Sequence, residues 1–357
     1  MAISEVYVDP SIAGNSGTGV IGDPYGDLQY ALDTEARDAT NGDRFNVKAG
    51  TAEILTATLS FTTYGTPTVA APLIIQGYTS AADDDGIGEI SGGGTYKIAT
   101  FPASTGVQDM KLGNCGSAVI LTDGGDCSYV NCEIHTTTNT GACVAPYRGA
   151  LLLNCYLHDM EGNMIGFDQN STAMYCTLLE GAATSIYGIK LNANCAAIGN
   201  VVSVCSTGVG ISAENESNAK IMNNTVYGAA SNGSGIIMPG RASFCIGNII
   251  EGFSASGGEA ILINGSNDVR QIGWNAFYNN ATNINGSSYV DLGNDQTLSV
   301  SPFVNAASQD FRLLPGVLQR GGWPQSIRKG LSITDWRAFG AIEPLPSMRR
   351  SRAVMIG

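Results

Sequence analysis

The sequence predicts an all-β chain wound as a parallel β-helix, a solenoid of about ten coils. Three observations carry that prediction: a marker that returns at a nearly constant step, apolar residues at fixed offsets from it, and many turn-forming residues. The markers Asp109, Cys132, Cys155, Cys176, Asn200, Asn224, Asn248 and Asn275 stand 23, 23, 21, 24, 24, 24 and 27 residues apart. Two residues before the marker come Val130, Leu153, Met174, Ile198, Met222 and Ile246, and two after it Ile134, Leu157, Leu178, Val202, Val226, Ile250 and Phe277. Period two over five positions reads as one short strand with alternate side chains facing inward. A second apolar stretch follows in each repeat, at Val144, Ile165 with Phe167, Ile189, Ile211, Ile236 with Ile237, and Ile261 with Ile263. Each coil therefore carries at least two strands. No coil can bury so narrow a face alone, so coils stack and equivalent strands pair in parallel about 4.8 Å apart. With 46 glycines in 357 residues the chain is rich in the residue that tight turns favour.

The marker itself faces the core. An inward Asn at a bend can bond its amide to the next coil, satisfying its own polar groups and the bend's backbone together. Cys132, Cys155 and Cys176 fill the same slot as small apolar thiols. These three are expected to be free and buried; a disulfide or a metal site are the alternatives for a chain with nine cysteines and no C-x-x-C motif.

In chain order, Glu5 to Asp9 reads as a first strand ended by Pro10. The glycine-rich stretch Gly14 to Gly26 lacks both G-x-G-x-x-G and a Gly-Lys-Ser/Thr, so it is read as a loop and not as a phosphate site. Asp27 to Asp33 reads as a short helix with Leu28, Ala31 and Leu32 on one side, suited to capping the open end of the solenoid. Residues 1–44 form this N-terminal cap, and 45–300 the solenoid. Its first strands fall at Phe45 to Val47, Ile54 to Phe61, Leu73 to Gly77 and Ile87 to Ile90. After Asn280 the period is lost. Residues 301–346 form a closing segment in which Ser301 to Leu314 crosses the far end and Trp323, Trp336 and Phe339 supply bulk. Residues 347–357 form a tail whose Arg349, Arg350 and Arg352 are cationic on a chain of net charge −13. That tail is read either as an arm that docks on a neighbouring subunit or as a free end.

The acidic balance excludes nonspecific binding to nucleic acid or to an anionic membrane surface. No run of 18 apolar residues exists to span a bilayer. The opening Met-Ala-Ile-Ser-Glu has neither the charged nor the apolar region of a signal peptide, so synthesis in the cytoplasm of the producing cell is expected. Asp83, Asp84 and Asp85 are three adjacent carboxylates able to offer oxygens to calcium, the one cofactor expected if any is.

The chain resembles the broad superfamily of right-handed parallel β-helix proteins that includes pectate lyases, other polysaccharide-active enzymes and phage tailspikes. The resemblance lies in Tyr7-Val8-Asp9-Pro10 before a Gly-rich loop, in Leu28-Gln29-Tyr30-Ala31-Leu32-Asp33, and in Gly42-Asp43. It continues in Asn223-Asn224-Thr225-Val226, Gly247-Asn248-Ile249-Ile250, Asp310-Phe311-Arg312-Leu313 and Gly340-Ala341-Ile342-Glu343. It implies a right-handed solenoid over nearly the whole chain. It does not fix an activity, because that fold carries lyases, hydrolases, adhesins and virion proteins alike.

His135 and His158 both stand three residues after a marker and are expected to stack on adjacent coils, with Lys190 or Arg148 as the cation that a lyase would need. If the chain is an enzyme, His158, Asp159, Glu161, Asp168 and Lys190 are the candidates: a hydrolase needs two carboxyls at set separation, a lyase a base and a cation. The aspartate cluster and arginine expected of a pectate lyase, and the paired aspartates, His-Gly and Arg-x-Lys of a polygalacturonase, are absent. On that ground the sequence reading places a noncatalytic role first: a structural or binding component of a phage particle, such as a head decoration, spike or fibre, located in the virion. Its partners would be other virion proteins and further copies of itself, and the resemblance allows a trimer. The alternative is a polysaccharide lyase or glycoside hydrolase, a depolymerase acting on a surface glycan.

Overall fold

The structure, a computed structural model, describes residues 3–314 except 117, 123–124, 138–141, 146–147, 180–186, 205–206, 214–217, 240–242 and 266–269. Among these residues three long parallel sheets of twelve, eleven and nine strands run the length of the molecule, and a two-stranded antiparallel sheet follows them. One coil shows the plan. Ser128–Val130 lies in the first sheet, Glu133–Thr137 in the second and Ala142–Ala145 in the third. The next coil repeats it with Leu151–Leu153, Tyr156–Met160 and Asn163–Gly166. Pairings such as Tyr129 with Leu152, Ile134 with Leu157 and Val144 with Ile165 hold the two coils in register. The predicted second-stretch residues Ile165, Ile189, Ile211, Ile236 and Ile261 stack in that order in the third sheet.

The residues around the marker do not form one strand. Just before the marker, Asn131, Asn154, Tyr175, Gly199, Asn223, Gly247 and Trp274 hold left-handed backbone angles, with φ between 55° and 72° apart from 54° at Asn154. That bend separates the first sheet from the second and resets the inward alternation. The buried first-sheet residues are therefore Tyr129, Leu152, Ala173, Ala197, Ile221 and Cys245, three before the marker, while Val130, Leu153 and Met174 two before it are only half-buried. Asp109 also belongs to the bend column. It has φ 53°, its Oδ1 accepts from Asn131 Nδ2 at 3.2 Å, and Lys111 pairs with Glu133, so Met110 occupies the marker slot opposite Cys132.

The marker slot itself is a buried hydrogen-bond ladder. Asn224 Oδ1 accepts from the backbone N–H of Asn200 at 2.9 Å and from its Nδ2 at 3.0 Å. Asn248 receives the same pair from Asn224, and Asn275 the same pair from Asn248. The Nδ2 groups of Asn200, Asn224, Asn248 and Asn275 also donate to the carbonyls of Ala173, Ala197, Ile221 and Cys245. The thiols of Cys132, Cys155 and Cys176 donate to the equivalent carbonyls of Val107, Tyr129 and Leu152, so amide and thiol occupy one slot as expected. These cysteines are free and buried, as are Cys115, Cys127, Cys143, Cys195 and Cys245. The ladder outlasts Asn275: Asp295, 20 residues on, accepts from its backbone N–H at 2.7 Å, and short strands at Thr282–Asn285, Val290–Asp291 and Gln296–Thr297 continue the three sheets.

At the other end, Ser4–Val8 pairs with Asp43–Lys48 and opens the first sheet. The helix Leu28–Thr34 begins where the Asp27 side chain accepts from Tyr30 N–H at 2.7 Å, and its buried Leu28, Ala31 and Leu32 join Val6 and Val8 in the main core, the expected cap. Of Ile54 to Phe61 only Glu53–Ile54 is strand, followed by a single bridge from Leu59 to Ala99.

The closing segment departs from expectation. Phe303–Asn305 and Asp310–Leu313 form an antiparallel hairpin packed against the outer side of the second sheet, where Phe303 buries Ile249 and Ala276 and Phe311 lies 5.6 Å from the Tyr227 ring. The outward residues of that sheet turn apolar in the last coils, and the hairpin covers them. Ser301 Oγ fastens it by donating to both oxygens of Glu251, at 3.1 and 2.9 Å. Burial pushes the Glu251 carboxyl up to about 7, with Ser301 pulling it back. A folded pKa above the ordinary 4.5 means that the buried acid is accommodated in full below that value and destabilises the chain as pH rises through 7, the Ser301 hydrogen bond offsetting part of that cost. Glu251→Gln is therefore expected to raise the melting temperature at pH 8 by roughly 2–5 °C and to leave it nearly unchanged at pH 5. Equal melting curves at both pH values would contradict the buried neutral acid. Trp323, Trp336, Phe339 and the arginine tail at Arg349, Arg350 and Arg352 lie outside the described residues.

Candidate active site

In the second sheet Leu112, Ile134, Leu157 and Leu178 point into the core, so their strand neighbours point out. This places Lys111, then Glu133 and His135, then Tyr156 and His158, then Thr177 and Leu179, on successive coils of one outer face. The two imidazoles stack as expected, with centroids 5.5 Å apart and planes 13° from parallel, and the Tyr156 ring stacks on His158 at 4.5 Å. His135 has room because the preceding coil carries Gly113, where a Cβ would stand 2.7 Å from its ring.

His158 is held from both sides. Its Nδ1 is 2.7 Å from Asp159 Oδ2 and its Nε2 is 3.3 Å from Glu133 Oε1, while Lys111 Nζ is 3.4 Å from the same Glu133 oxygen. The two carboxylates therefore fix the orientation of the ring from opposite edges. Burial would push the Glu133 carboxyl up, but His158 and Lys111 outweigh it and hold it below its usual range. Burial, and next Lys111, push His135 down. Burial pushes Tyr156 up, with Asp159 and Glu133 adding to it. The residues after the histidines, Thr136 at φ 47° and Asp159 at φ 55°, are both left-handed, and each offers a side-chain oxygen to its histidine's Nδ1. For a β-branched threonine this is a costly backbone, the kind of strain that clusters at functional sites.

Beside the His158 coil an open cleft of about 230 Å³ has Thr177, Leu179 and Val201 as its floor and Gln309, Asp310, Phe311 and Arg312 of the hairpin as its wall. Arg312 makes a two-pronged contact with Asp310, at 2.8 and 2.6 Å, and remains exposed. The cluster and the cleft are contiguous, because Thr177 pairs with Tyr156 and Leu179 with His158.

Of the five residues singled out from sequence, His158 and Asp159 meet. Glu161 is exposed in the turn that leads to the third sheet. Asp168 lies beyond the third-sheet strand, 4.0 Å from Arg148, and Lys190 stands in the third sheet, 5.5 Å from the Tyr187 ring centroid. These three are thus set on other parts of the coil. Lys111, Glu133, Tyr156 and Arg312 were missed. Glu133 and Tyr156 stand two residues before the histidines, so period two alone puts them on the same face. Asp84 receives backbone N–H groups of Thr79, Ser80, Ala81 and Gly86, and Asp83 bonds Arg44 and Gln76. Among the described residues no group of three or more His, Cys, Asp or Glu is arranged to hold a metal, and no helix is long and apolar enough to cross a membrane.

A family model for the right-handed β-helix region matches residues 98–250 of the chain. Among solved structures the chain is similar to pectate lyase Pel9A, at 13% identity and TM-score 0.56, over 96% of this chain and 97% of that one. It is a right-handed parallel β-helix. The β-helix is also similar to a mannuronic acid specific polysaccharide family 6 lyase from human gut microbiota, at 12% identity and TM-score 0.52 over 83% of each chain. The A-module of the Azotobacter vinelandii mannuronan C-5 epimerase AlgE4 matches at 11% identity and TM-score 0.50, over 81% of this chain and 95% of that one. No curated protein sequence matches. These similarities establish the fold. They also correct the order of the two functional expectations, since these three similar structures are of proteins named as lyases and an epimerase, and a noncatalytic virion role has no such support.

Proposed function

We propose that this β-helix is an enzyme that cleaves an acidic polysaccharide by elimination, with His158 at the centre of the reaction. The observation that carries the reading is the hydrogen-bonded cluster of Asp159, His158, Glu133 and Lys111 opening onto a cleft walled by Arg312. Elimination from a uronate removes the proton next to its carboxylate and protonates the departing glycosidic oxygen, so it needs proton-transfer groups and a cation. His158 Nε2 takes the proton next to the carboxylate while Asp159 holds Nδ1 and orients the ring, and the imidazolium so formed gives that proton to the departing oxygen. Arg312, at the cleft wall, supplies positive charge for the uronate carboxylate, and Lys111 holds Glu133 beside His158. Hydrolysis fits less well, because it requires a protonated carboxyl as acid and Glu133 is held in its ionised form. The similar structures named as a pectate lyase and a mannuronic acid specific lyase support the same substrate class.

The test is incubation with polygalacturonate and with polymannuronate, following the ultraviolet absorbance of unsaturated uronate ends together with reducing ends. A rise in both is the expected result. Reducing ends without absorbance would replace elimination by hydrolysis, and no change in polymer size with folded protein would overturn the proposal.

A further inference from the structure

The bend between the first and second sheets forms a column on the surface, and one of its members is out of place. Left-handed backbone suits Gly, Asn and Asp, and the column reads Asp109, Asn131, Asn154, Tyr175, Gly199, Asn223 and Gly247 before Trp274. Two aromatic side chains therefore sit where the backbone disfavours them. Trp274 has a structural reason, since it packs into the cluster covered by Phe303 and the closing hairpin. Tyr175 has none of that cover: it is 52% exposed. Its ring is nevertheless seated. The Cδ1 and Cε1 atoms lie over Gly199 of the next coil, each 2.7 Å from where a Cβ would stand, so any other residue at 199 would displace the ring.

The seat adjoins the cleft. Tyr175 is two residues before Thr177 of the cleft floor, and Thr177 pairs with Tyr156 of the His158 coil. On its other side the column continues as a line of amides, with Asn154 Nδ2 donating to Asn131 Oδ1 at 2.8 Å and Asn131 Nδ2 to Asp109 Oδ1 at 3.2 Å. An exposed, immobilised aromatic face beside side-chain amides is the chemistry that takes a pyranose: its C–H face lies against the ring and its hydroxyls reach the amides. We propose that Tyr175 is a sugar-binding platform at the margin of the cleft, holding a residue of the polysaccharide chain next to the one being cleaved. This rests on the polysaccharide reading above and adds a position that sets the length of substrate engaged. A ring already held in place loses little freedom on binding, which favours affinity.

The experiment compares wild type, Tyr175→Asn and Tyr175→Phe. It measures binding to polygalacturonate and polymannuronate by affinity electrophoresis, cleavage of polymer against the shortest cleaved oligosaccharide, and the melting temperature. Tyr175→Asn is expected to weaken polymer binding about tenfold, to leave the shortest substrate's cleavage unchanged, and to melt no lower than wild type because Asn suits the left-handed bend. Tyr175→Phe keeps the face and is expected to bind like wild type. Unchanged polymer binding in Tyr175→Asn overturns the platform while leaving elimination intact, and so does an equal loss in Tyr175→Phe. A wild type that cleaves neither polymer but binds one through Tyr175 overturns elimination and supports the platform; a wild type that binds neither overturns both.

Discussion

His158→Ala is expected to lower polysaccharide cleavage by about 10³-fold, within the range that a positioned acid–base group contributes, without unfolding the chain. The side chain stands on the outer face of the second sheet, and its strand is anchored by Leu157 and Met160 in the core, which the substitution leaves untouched. The loss should appear in kcat and not in KM, since polymer binding rests on Arg312 and the cleft floor. Glu133→Gln is the informative companion. It keeps the shape and a hydrogen-bond acceptor but removes the charge that Lys111 and His158 share, so cleavage should fall about tenfold, the cost of one charge-assisted hydrogen bond that orients the ring. Steady-state rates across pH on a single uronan check both. Wild-type rates in His158→Ala would move the chemistry to another part of the surface.

The repeat made the solenoid legible because each coil repeats one inward slot, and a side chain there faces the same demands every time. The third-sheet isoleucines, from Ile165 to Ile261, were readable for that reason, and so was the stack of His135 on His158, which follows from equal offsets to the marker. The break between first and second sheets was not readable from apolar spacing. A three-residue strand such as Ser128–Val130 buries one side chain, too few to show a period, and the left-handed residue after it shifts the phase. Asp109 was misassigned because Asp and Asn suit both the inward ladder and the left-handed bend, so residue type alone does not separate the two columns. The site was half legible. Strand period places Glu133 and Tyr156 beside the histidines, but Arg312 arrives from a hairpin more than a hundred residues downstream, whose docking depends on apolar residues of the outer face at Ile249 and Ala276. The functional expectation was misordered for a chemical reason: an aspartate cluster marks a pectate lyase in sequence, whereas this surface collects imidazole, phenol and ammonium groups around two carboxylates.

Asn224→Ala is expected to cost about 4 kcal/mol, more than the loss of any single core methyl group. Four hydrogen bonds of the Asn224 side chain disappear with it: two accepted from Asn200 at 2.9 and 3.0 Å, and two donated to Ala197 O and Asn248 Oδ1 at 2.9 and 3.0 Å. Asn224 is fully buried, so water cannot take over, and an unmet buried donor or acceptor costs about 1–3 kcal/mol each. Part of that loss is softened because Asn200 Nδ2 keeps Ala173 O and Asn248 Oδ1 keeps the backbone N–H of residue 224. Cys155→Ala supplies the contrast within the same slot. Its thiol gives only weak bonds, to Tyr129 O at 3.4 Å and to Leu153 O at 3.6 Å, so the expected cost is about 1–2 kcal/mol, mostly from the small cavity. Denaturant unfolding of the two variants orders them, and hydrogen exchange locates the damage. In a solenoid each coil leans on its neighbours alone, so protection should fall first in the coils that carry Asn200 and Asn224 and persist around Ile134. An Asn224→Ala protein as stable as Cys155→Ala would mean that the amide column merely fills space, and the preference for asparagine over cysteine from residue 200 onward would then need a cause other than its hydrogen bonds.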